Sequence, residues 1–487
     1  MNDRFVYVDF GAVRIQHYLT RTPSLRGHRT ASDALARATA RSTIARVVGD
    51  LAEVNEEAGE ADGVISLRFP HPTDRAPAKQ VHEVQDLVLR HLRSALPGAE
   101  FHSVWGTGDS YLFVYAHRLQ PRIRRGEVRH DLPPTAEFPL AAPCRMCHVD
   151  PAAGVERFPD GPLAVCPDCS QRNVGRGESA ADDLTPEGRL RTALGVGAAP
   201  KTFTELAALG SAASGRNQLA TVAVDGNAFG VFFAALAEGS GQDPELTSLK
   251  SSVSAALARA TRTALEEAAL ELAPTQEHER LCVVPHVVGG DDVLVSLPAD
   301  QAWHFTLTFL QRFGVRVRSA TEPVLARLTQ VHGTAPEPPT ASAGVVFAHA
   351  SHPLHLSVES AAQRLREAKQ AFGGRQSSVQ WLDVTADGPD APPHAPLPLS
   401  LLREGDRSTA TARALSRLAE LPASHRARLA EGLREGGPMI AAMVADRVGH
   451  LPTVRPFLPS LDPPDRPPSS GVELGAALGL ARWWPCG

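Results

Sequence analysis

Nine residues, Val287-Val288-Gly289-Gly290-Asp291-Asp292-Val293-Leu294-Val295, restrict the fold of this chain more than any other stretch. Apolar β-formers enter two glycines and two aspartates, and apolar β-formers leave. That pattern predicts a hairpin, because glycine accepts the positive φ of a tight turn and the flanks suit buried strands. Two carboxylates then stand at the tip of a stiff ribbon. Upstream, Leu219-Ala220-Thr221-Val222-Ala223-Val224-Asp225-Gly226-Asn227 predicts a second buried strand that ends in an aspartate and a glycine. Carboxylates from adjacent strand ends suit a pair of hard divalent cations, which prefer oxygen ligands and bridge to phosphate. Read by itself, the tetrapeptide is also an ordinary acidic turn; Asp225 shifts the reading towards a Mg²⁺ or Mn²⁺ site.

The four cysteines Cys144, Cys147, Cys166 and Cys169 form two C-x2-C pairs with eighteen residues between them. This is zinc-ribbon spacing, two thiolates from each of two tight turns closing a tetrahedral structural site. Four thiolates leave no open position, so this zinc is not catalytic. His148 is a neighbour rather than a ligand. Cys282 precedes an apolar strand and reads as a core residue, and Cys486 lies at the chain end.

With 487 residues the chain has room for several domains, and 43% hydrophobic with 21% charged content describes a globular protein. No window approaches the roughly 20 apolar residues of a membrane span, and Met1-Asn2-Asp3-Arg4 lacks a secretory signal, so a cytoplasmic location is expected. A net charge of -5 and a pI near 6.4 argue against a stand-alone nucleic-acid binder. The local run Arg122, Arg124, Arg125 and Arg129 fits RNA phosphates or a solvated face equally well.

In chain order, residues 1–130 alternate strand and helix patterns: a strand at Phe5–Phe10, a helix from Ser32 to Val54, a strand at Gly63–Phe69 and a helix from His82 to Leu96. His102 to Tyr115 then predicts strand, glycine turn and strand. It has the shape of the Gly289 hairpin, an internal duplication with only Asp109 at its turn. Residues 131–215 hold a proline-bearing linker from Pro133 to Pro143, the zinc ribbon and a helical connector. Residues 216–385 repeat the αβ pattern, with a helical insertion from Glu245 to Leu272, a helix from Ala302 to Phe313, a strand at Ala343–Ala348, a helix from Leu356 to Phe372 and a last strand at Val379–Val384. A Pro-rich stretch precedes helices over 396–487 that carry no acid cluster, so packing or docking is their expected role. Lys369 lies near the end of its helix, where a cation reaches the β- or γ-phosphate of a nucleotide on the hairpin; a solvated lysine is the plainer alternative. His130-Asp131 raises metal-dependent hydrolase chemistry, but it sits in a linker with no helical set of further ligands.

The motifs Gly289-Gly290-Asp291-Asp292, Asp225-Gly226-Asn227-Ala228-Phe229-Gly230 and the four cysteines between two αβ units, followed by Ser342-Ala343-Gly344-Val345-Val346 and Ala368-Lys369, come in a characteristic order. In that order the chain resembles the large polymerase–cyclase subunit of type III CRISPR effector complexes, the signature protein of the Csm and Cmr systems. The resemblance implies an α+β architecture: two ferredoxin-like palm domains, the first degenerate, with a zinc ribbon between them and a helical C-terminal domain. It implies conversion of ATP to cyclic oligoadenylate by two-metal nucleotidyl transfer, when a guide-RNA-containing complex with other subunits meets target RNA in antiviral defence. Carried over residue by residue, Asp225, Asp291 and Asp292 match the metal-binding catalytic acids. Gly226, Asn227, Phe229, Gly289 and Gly290 match the nucleotide-facing positions, and Lys369 matches a phosphate contact. The family often has a second acid where this chain has Asn227. Many members also carry an N-terminal His-Asp nuclease domain; the palm-like pattern here begins almost at Met1, so no nuclease activity is expected. Two other classes stay open. One is a stand-alone cyclic-dinucleotide synthase, although Asp292-Val293 stands where diguanylate cyclases have Glu-Phe. The other is a non-catalytic scaffold of an RNA-guided complex.

Overall fold

A computed structural model describes residues 4–485 apart from 23, 59–62, 73–76, 134–141, 159–160, 175–184, 211–216, 241–242, 273–279, 390, 405–406 and 460–466. Most of the expected Pro133–Pro143 linker, parts of the 170–215 connector, much of the late Pro-rich break, and Cys486 lie outside the described residues.

The N-terminal unit comprises β1 (Phe5–Val13), α1 (Leu25–Thr39), α2 (Arg41–Val48), β2 (Glu53–Val54), β3 (Val64–Pro70), α3 (Ala78–Ala95), β4 (Glu100–Gly108) and β5 (Arg129–Asp131). Its sheet order β2-β3-β1-β4-β5 places the first strand between the third and fourth, the ferredoxin-like arrangement. Apolar positions at helical spacing on α3 (Val81, Val84, Val88, Leu92) bury against alternate residues of β1 such as Val6, Val8 and Phe10. The helix expected from Ser32 to Val54 is two helices broken at Ala40, and Val54 belongs to a strand.

The expected strand–turn–strand at His102–Tyr115 is corrected. β4 runs straight through Gly106 and Gly108, and Tyr111–Val114 is helical, continuing into a π-helical turn at Tyr115–Leu119. The glycines serve close approach rather than turning. A Cβ on Gly108 would lie 2.4 Å from Val114 Cγ2, and one on Gly106 would lie 3.1 Å from both Val114 and Leu119. By topology, the counterpart of the Gly289 hairpin is β2–β3.

The ribbon follows, with β6 (Gly154–Phe158), β7 (Gly161–Val165) and α4 (Pro167–Val174). It is joined to the first unit through buried charge. Asp168 accepts from Tyr18 Oη at 2.8 Å and from Arg172 Nε at 2.7 Å, and pairs with Arg21 at 2.6 Å; Arg21 also pairs with Asp150 at 2.8 Å.

The second αβ unit holds β8 (Gln218–Asn227), α5 (Phe229–Ser240), α6 (Pro244–Glu271), β9 (Val284–Gly289), β10 (Asp292–Pro298), α7 (Ala302–His332), β11 (Thr340–His349), α8 (Leu354–Ala371), β12 (Ser378–Asp383) and β13 (Leu397–Pro398). Its order β13-β12-β11-β8-β10-β9 contains the same ferredoxin-like core, extended by β12, which runs parallel to β11. α7 continues through Pro323 well beyond the expected end at Phe313. One face of the sheet packs α6 and α7; the other packs α8 through Ala223, Leu294, Val346, Val358 and Leu365. Gly344 permits this second contact, because a Cβ there would lie 2.1 Å from the Ala361 carbonyl oxygen.

The C-terminal helices are α9 (Ala410–Ala419), α10 (Ala423–Arg447), kinked at Gly436-Gly437, and α11 (Leu474–Ala481). They share the main core with the second unit. Trp303 lies 5.7 Å from Trp381 and 5.9 Å from Trp484 between ring centroids, and Trp483 Nε1 donates to buried Asp383 at 2.7 Å. Among the described residues, no helix is long and apolar enough to cross a membrane.

Candidate nucleotidyl-transfer site and ribbon metal centre

β8 and β10 are antiparallel neighbours with Val224 opposite Val293, so the next pair outward sets Asp225 across from Asp292. Strand alternation turns both towards the α8 face, with Ala223 and Leu294. The sheet therefore delivers two of the predicted carboxylates side by side, and the turn adds Asp291. Gly226 has no room for a side chain: a Cβ would meet Asp291 Oδ2 at 2.3 Å and the Phe229 ring at 2.4 Å. Gly290 has φ 61°, the left-handed conformation its position requires, and Gly289 is the last residue of β9, paired with Asp292.

The electrostatics follow from this crowding. Burial, then the Asp225 and Asp291 charges, then a hydrogen bond with Asp225 push the Asp292 carboxyl up to about 8. Burial and the Asp225 charge also raise Asp291, against the pull of backbone amides and Lys369. Like charges sharing a half-buried site resist joint ionisation. Lys369, in the last turn of α8, donates from Nζ to Asp225 Oδ2 and, at 2.7 Å, to the Gly226 carbonyl oxygen. It is thus a cation already placed on the strand end rather than a solvated helix lysine.

Asn227 and Phe229 are committed differently. Asn227 is buried, and its Nδ2 donates to Thr340 Oγ1, Ser342 Oγ and the Gln376 carbonyl at 3.0, 2.9 and 3.1 Å. An aspartate could donate none of these bonds, which accounts for the amide here. Its Oδ1 is buried without a partner. The Phe229 ring packs over Gly226 and faces Phe313, 6.2 Å between centroids.

Two contributors, Thr261 and Tyr115, escaped the sequence reading, and a third, Arg124, was read only as a member of the basic run. Thr261 of α6 donates to the Gly290 carbonyl oxygen at 2.5 Å. Tyr115, on the π-helical turn, is raised by burial and by the charges of Asp9 and Asp291, so a phenol of the N-terminal unit lies within electrostatic reach of the turn. Arg124 comes close to Gly230 at the start of α5. The π-helical turn gives no sequence signal, and a threonine within an Ala-rich helix gives none either. Of the basic run, Arg122 is bound to the Trp105 carbonyl, Arg125 to Glu127 and Arg129 to Asp86. His130 and Asp131 lie on edge strand β5, and Asp131 is taken by Arg93.

Three carboxylates on adjacent strand ends, with the orphaned buried Asn227 oxygen two residues along β8 from Asp225, are an oxygen donor set that fits hard divalent cations. The acids do not form a compact preformed shell; among the described residues, the set of ligand atoms lying within 4.8 Å of one another is the cysteine quartet. Cys144, Cys147, Cys166 and Cys169 are buried, with Cys147 Sγ 3.9 Å from Cys166 Sγ. Tetrahedral zinc with Zn–S near 2.3 Å sets sulfurs about 3.8 Å apart, so the quartet fits zinc. Amides of Met146 and Cys169 donate to sulfur at 3.4 Å, as thiolate turns do. His148 is exposed with φ 55° and takes no part.

Comparison with known proteins bears on this geometry. Residues 218–378 match the family described as Cas10/Cmr2, second palm domain. No curated protein sequence matches the chain. Among solved structures, the apo Csm1–Csm4 cassette matches with a TM-score of 0.55 at 15% identity, covering 99% of this chain and 70% of the other. The cassette in complex with cA4 matches at 0.54 and 12%, with the same coverage. Csm1 from T. onnurineus matches at 0.54 and 13%, covering 99% and 69%. Residues 218–378 thus match the second palm domain of the Cas10/Cmr2 family in sequence, and the chain shares the fold of Csm1 along nearly its whole length.

Proposed function

We propose that this protein is the polymerase–cyclase subunit of a type III CRISPR effector complex, making cyclic oligoadenylate from ATP when the complex engages target RNA. The observation that carries the reading is the meeting of Asp225, Asp291 and Asp292 on adjacent strand ends, with Asp292 pushed up to about 8 by burial and then by the charges of the other two. That concentration of negative charge calls for cations. Crystal structures of the similar Csm1–Csm4 cassette contain one ATP, pppApA, cA3 or cA4.

In this reading Asp225, Asp291 and Asp292 would hold two divalent ions, which would supply an activated 3′-hydroxyl and charge neutralisation for the departing pyrophosphate. The 3′-oxygen forms a bond to the α-phosphorus of a second ATP, the bond to pyrophosphate breaks, and the hydroxyl proton leaves to solvent. Asp225 would hold a cation where it now holds Lys369, and Lys369, at the same strand end, is placed to contact the β- and γ-phosphates. Gly289 and Gly290 offer bare backbone against the nucleotide, and Gly226 makes room for Asp291 and the Phe229 ring beside it. The zinc ribbon is structural. The protein works in the cytoplasm with guide RNA and partner subunits, in antiviral defence.

The test is incubation with ATP and Mn²⁺, with and without partner subunits, guide RNA and target RNA, followed by mass analysis. Cyclic oligoadenylate that disappears in the Asp291→Ala/Asp292→Ala variant supports the proposal. A cyclic dinucleotide made without RNA indicates a stand-alone synthase. No nucleotide turnover in the complete complex, with assembly unaffected by the double variant, indicates a scaffold.

A further inference from the structure

The Gly289–Asp292 turn is exposed at Gly290, yet its carbonyl is held from behind. Thr261, 1% exposed on α6, donates its hydroxyl to the Gly290 oxygen at 2.5 Å, much shorter than its 3.3 Å approach to the Leu257 carbonyl of its own helix. α6 is a firm base for this contact. It packs along α7, and the short 3₁₀ turn at Glu56–Ala58 of the N-terminal unit also rests on it.

The peptide between Gly290 and Asp291 is planar, so fixing the carbonyl of one fixes the amide of the other. Asp291 carries its carboxylate on the α-carbon directly after this amide, with Oδ2 lying against Gly226. Thr261 therefore helps set the direction of Asp291 through two covalently linked groups, at a glycine whose φ of 61° lies in the left-handed region. We infer that Thr261 is a positioning residue for the carboxylate pair: its hydroxyl holds the Gly290–Asp291 peptide so that Asp291 faces Asp225 and can take up a divalent cation. This rests on the proposed metal-dependent chemistry of the same site, though not on the identity of the product.

Outer contacts of this kind change metal affinity or activity by about 10- to 100-fold when removed. Thr261→Val keeps the shape and deletes the donor; Thr261→Ser keeps the donor and deletes a methyl. Two measurements are made on the full chain with each variant. The first is Mn²⁺ affinity by titration calorimetry, with the metal alone. The second is kcat and KM for ATP in the assembled complex. The expected result is a Mn²⁺ affinity about 10-fold or more weaker in Thr261→Val, a kcat reduced similarly with KM for ATP little changed, and recovery of both in Thr261→Ser. Unchanged Mn²⁺ affinity in Thr261→Val overturns the inference. So does an equal loss in both variants, which marks a packing role. If the wild-type complex consumes no ATP while Mn²⁺ binding still weakens in Thr261→Val and recovers in Thr261→Ser, the proposed function fails and the positioning role stands.

Discussion

Asp292→Asn is expected to make the metal-free protein more stable while ending its chemistry. The Asp292 carboxyl is raised from 3.8 to about 8 by burial and by the Asp225 and Asp291 charges. The sign follows from proton counting. Between those two values the folded form holds a proton that the unfolded chain has released, so stability from this group is full below about 3.8 and is lost progressively as pH rises towards about 8. At pH 7 the group lies about 3 units above its unfolded value, and at about 1.4 kcal/mol per unit the penalty approaches 4 kcal/mol. An asparagine never ionises, so it removes most of that penalty. Its Nδ2 can replace the hydrogen bond that protonated Asp292 gives to Asp225. Urea denaturation in a chelator at pH 7 should therefore show a later midpoint for Asp292→Asn, and the difference from wild type should shrink towards pH 4. Added Mn²⁺ should stabilise wild type and narrow the gap, because the ions neutralise the repulsion. A variant less stable than wild type at pH 7 in chelator would refute the reasoning, since it would mean that the acid contributes more through packing than it suffers through charge.

Gly344→Ala drives a Cβ to 2.1 Å from the Ala361 oxygen and 2.5 Å from the Leu365 nitrogen, both backbone atoms. α8 must withdraw, so thermal scanning should show a loss of about 1–3 kcal/mol or more, and Lys369 on the same helix should lose its place and activity should fall with it. Tyr18→Phe deletes the hydroxyl that meets Asp168 at 2.8 Å in the buried ribbon junction; denaturation should show a loss of about 1.5–3 kcal/mol, the usual worth of a hydrogen bond to a charged group, together with faster zinc release to a chelating dye. Burial lowers His28 from 6.5 to about 4, against the Thr22 carbonyl and beside Arg172, Arg29 and His286. The unfolded chain takes up that proton first, so stability should fall by about 3 kcal/mol as pH drops from 6.5 to 4, and His28→Phe should flatten that slope in pH-dependent denaturation.

The parts legible in the sequence were those whose chemistry is local. Alternating apolar runs predicted β8, β9 and β10, and the Gly-Gly-Asp-Asp turn falls between two of them. Cysteine spacing predicted the quartet, because two short turns fix four sulfurs with little help from the remaining chain. The failures came where tertiary contact decides. Gly106 and Gly108 carry the composition of a turn, and nothing nearby says that Val114 and Leu119 will fold back onto them. The same blindness hid Thr261, an unremarked member of an Ala-rich helix until the fold sets it behind Gly290. Lys369 was placed near phosphate by resemblance; its bonds to Asp225 and the Gly226 carbonyl come from the docking of α8 across Gly344.

Trp483 and Trp484, just after α11, are 3% and 6% exposed. With Trp303, Trp381 and Phe347 they line the far side of the sheet that bears the three acids. The C-terminal helices therefore cannot be trimmed away as an appendage. Cutting before α9 would strip indoles from beneath β11 and β12 and leave Asp383 a buried anion without its Trp483 and Arg482 donors. A fragment ending at residue 385 would be expected to aggregate, and a truncation that stays in solution has to retain the chain through Trp484.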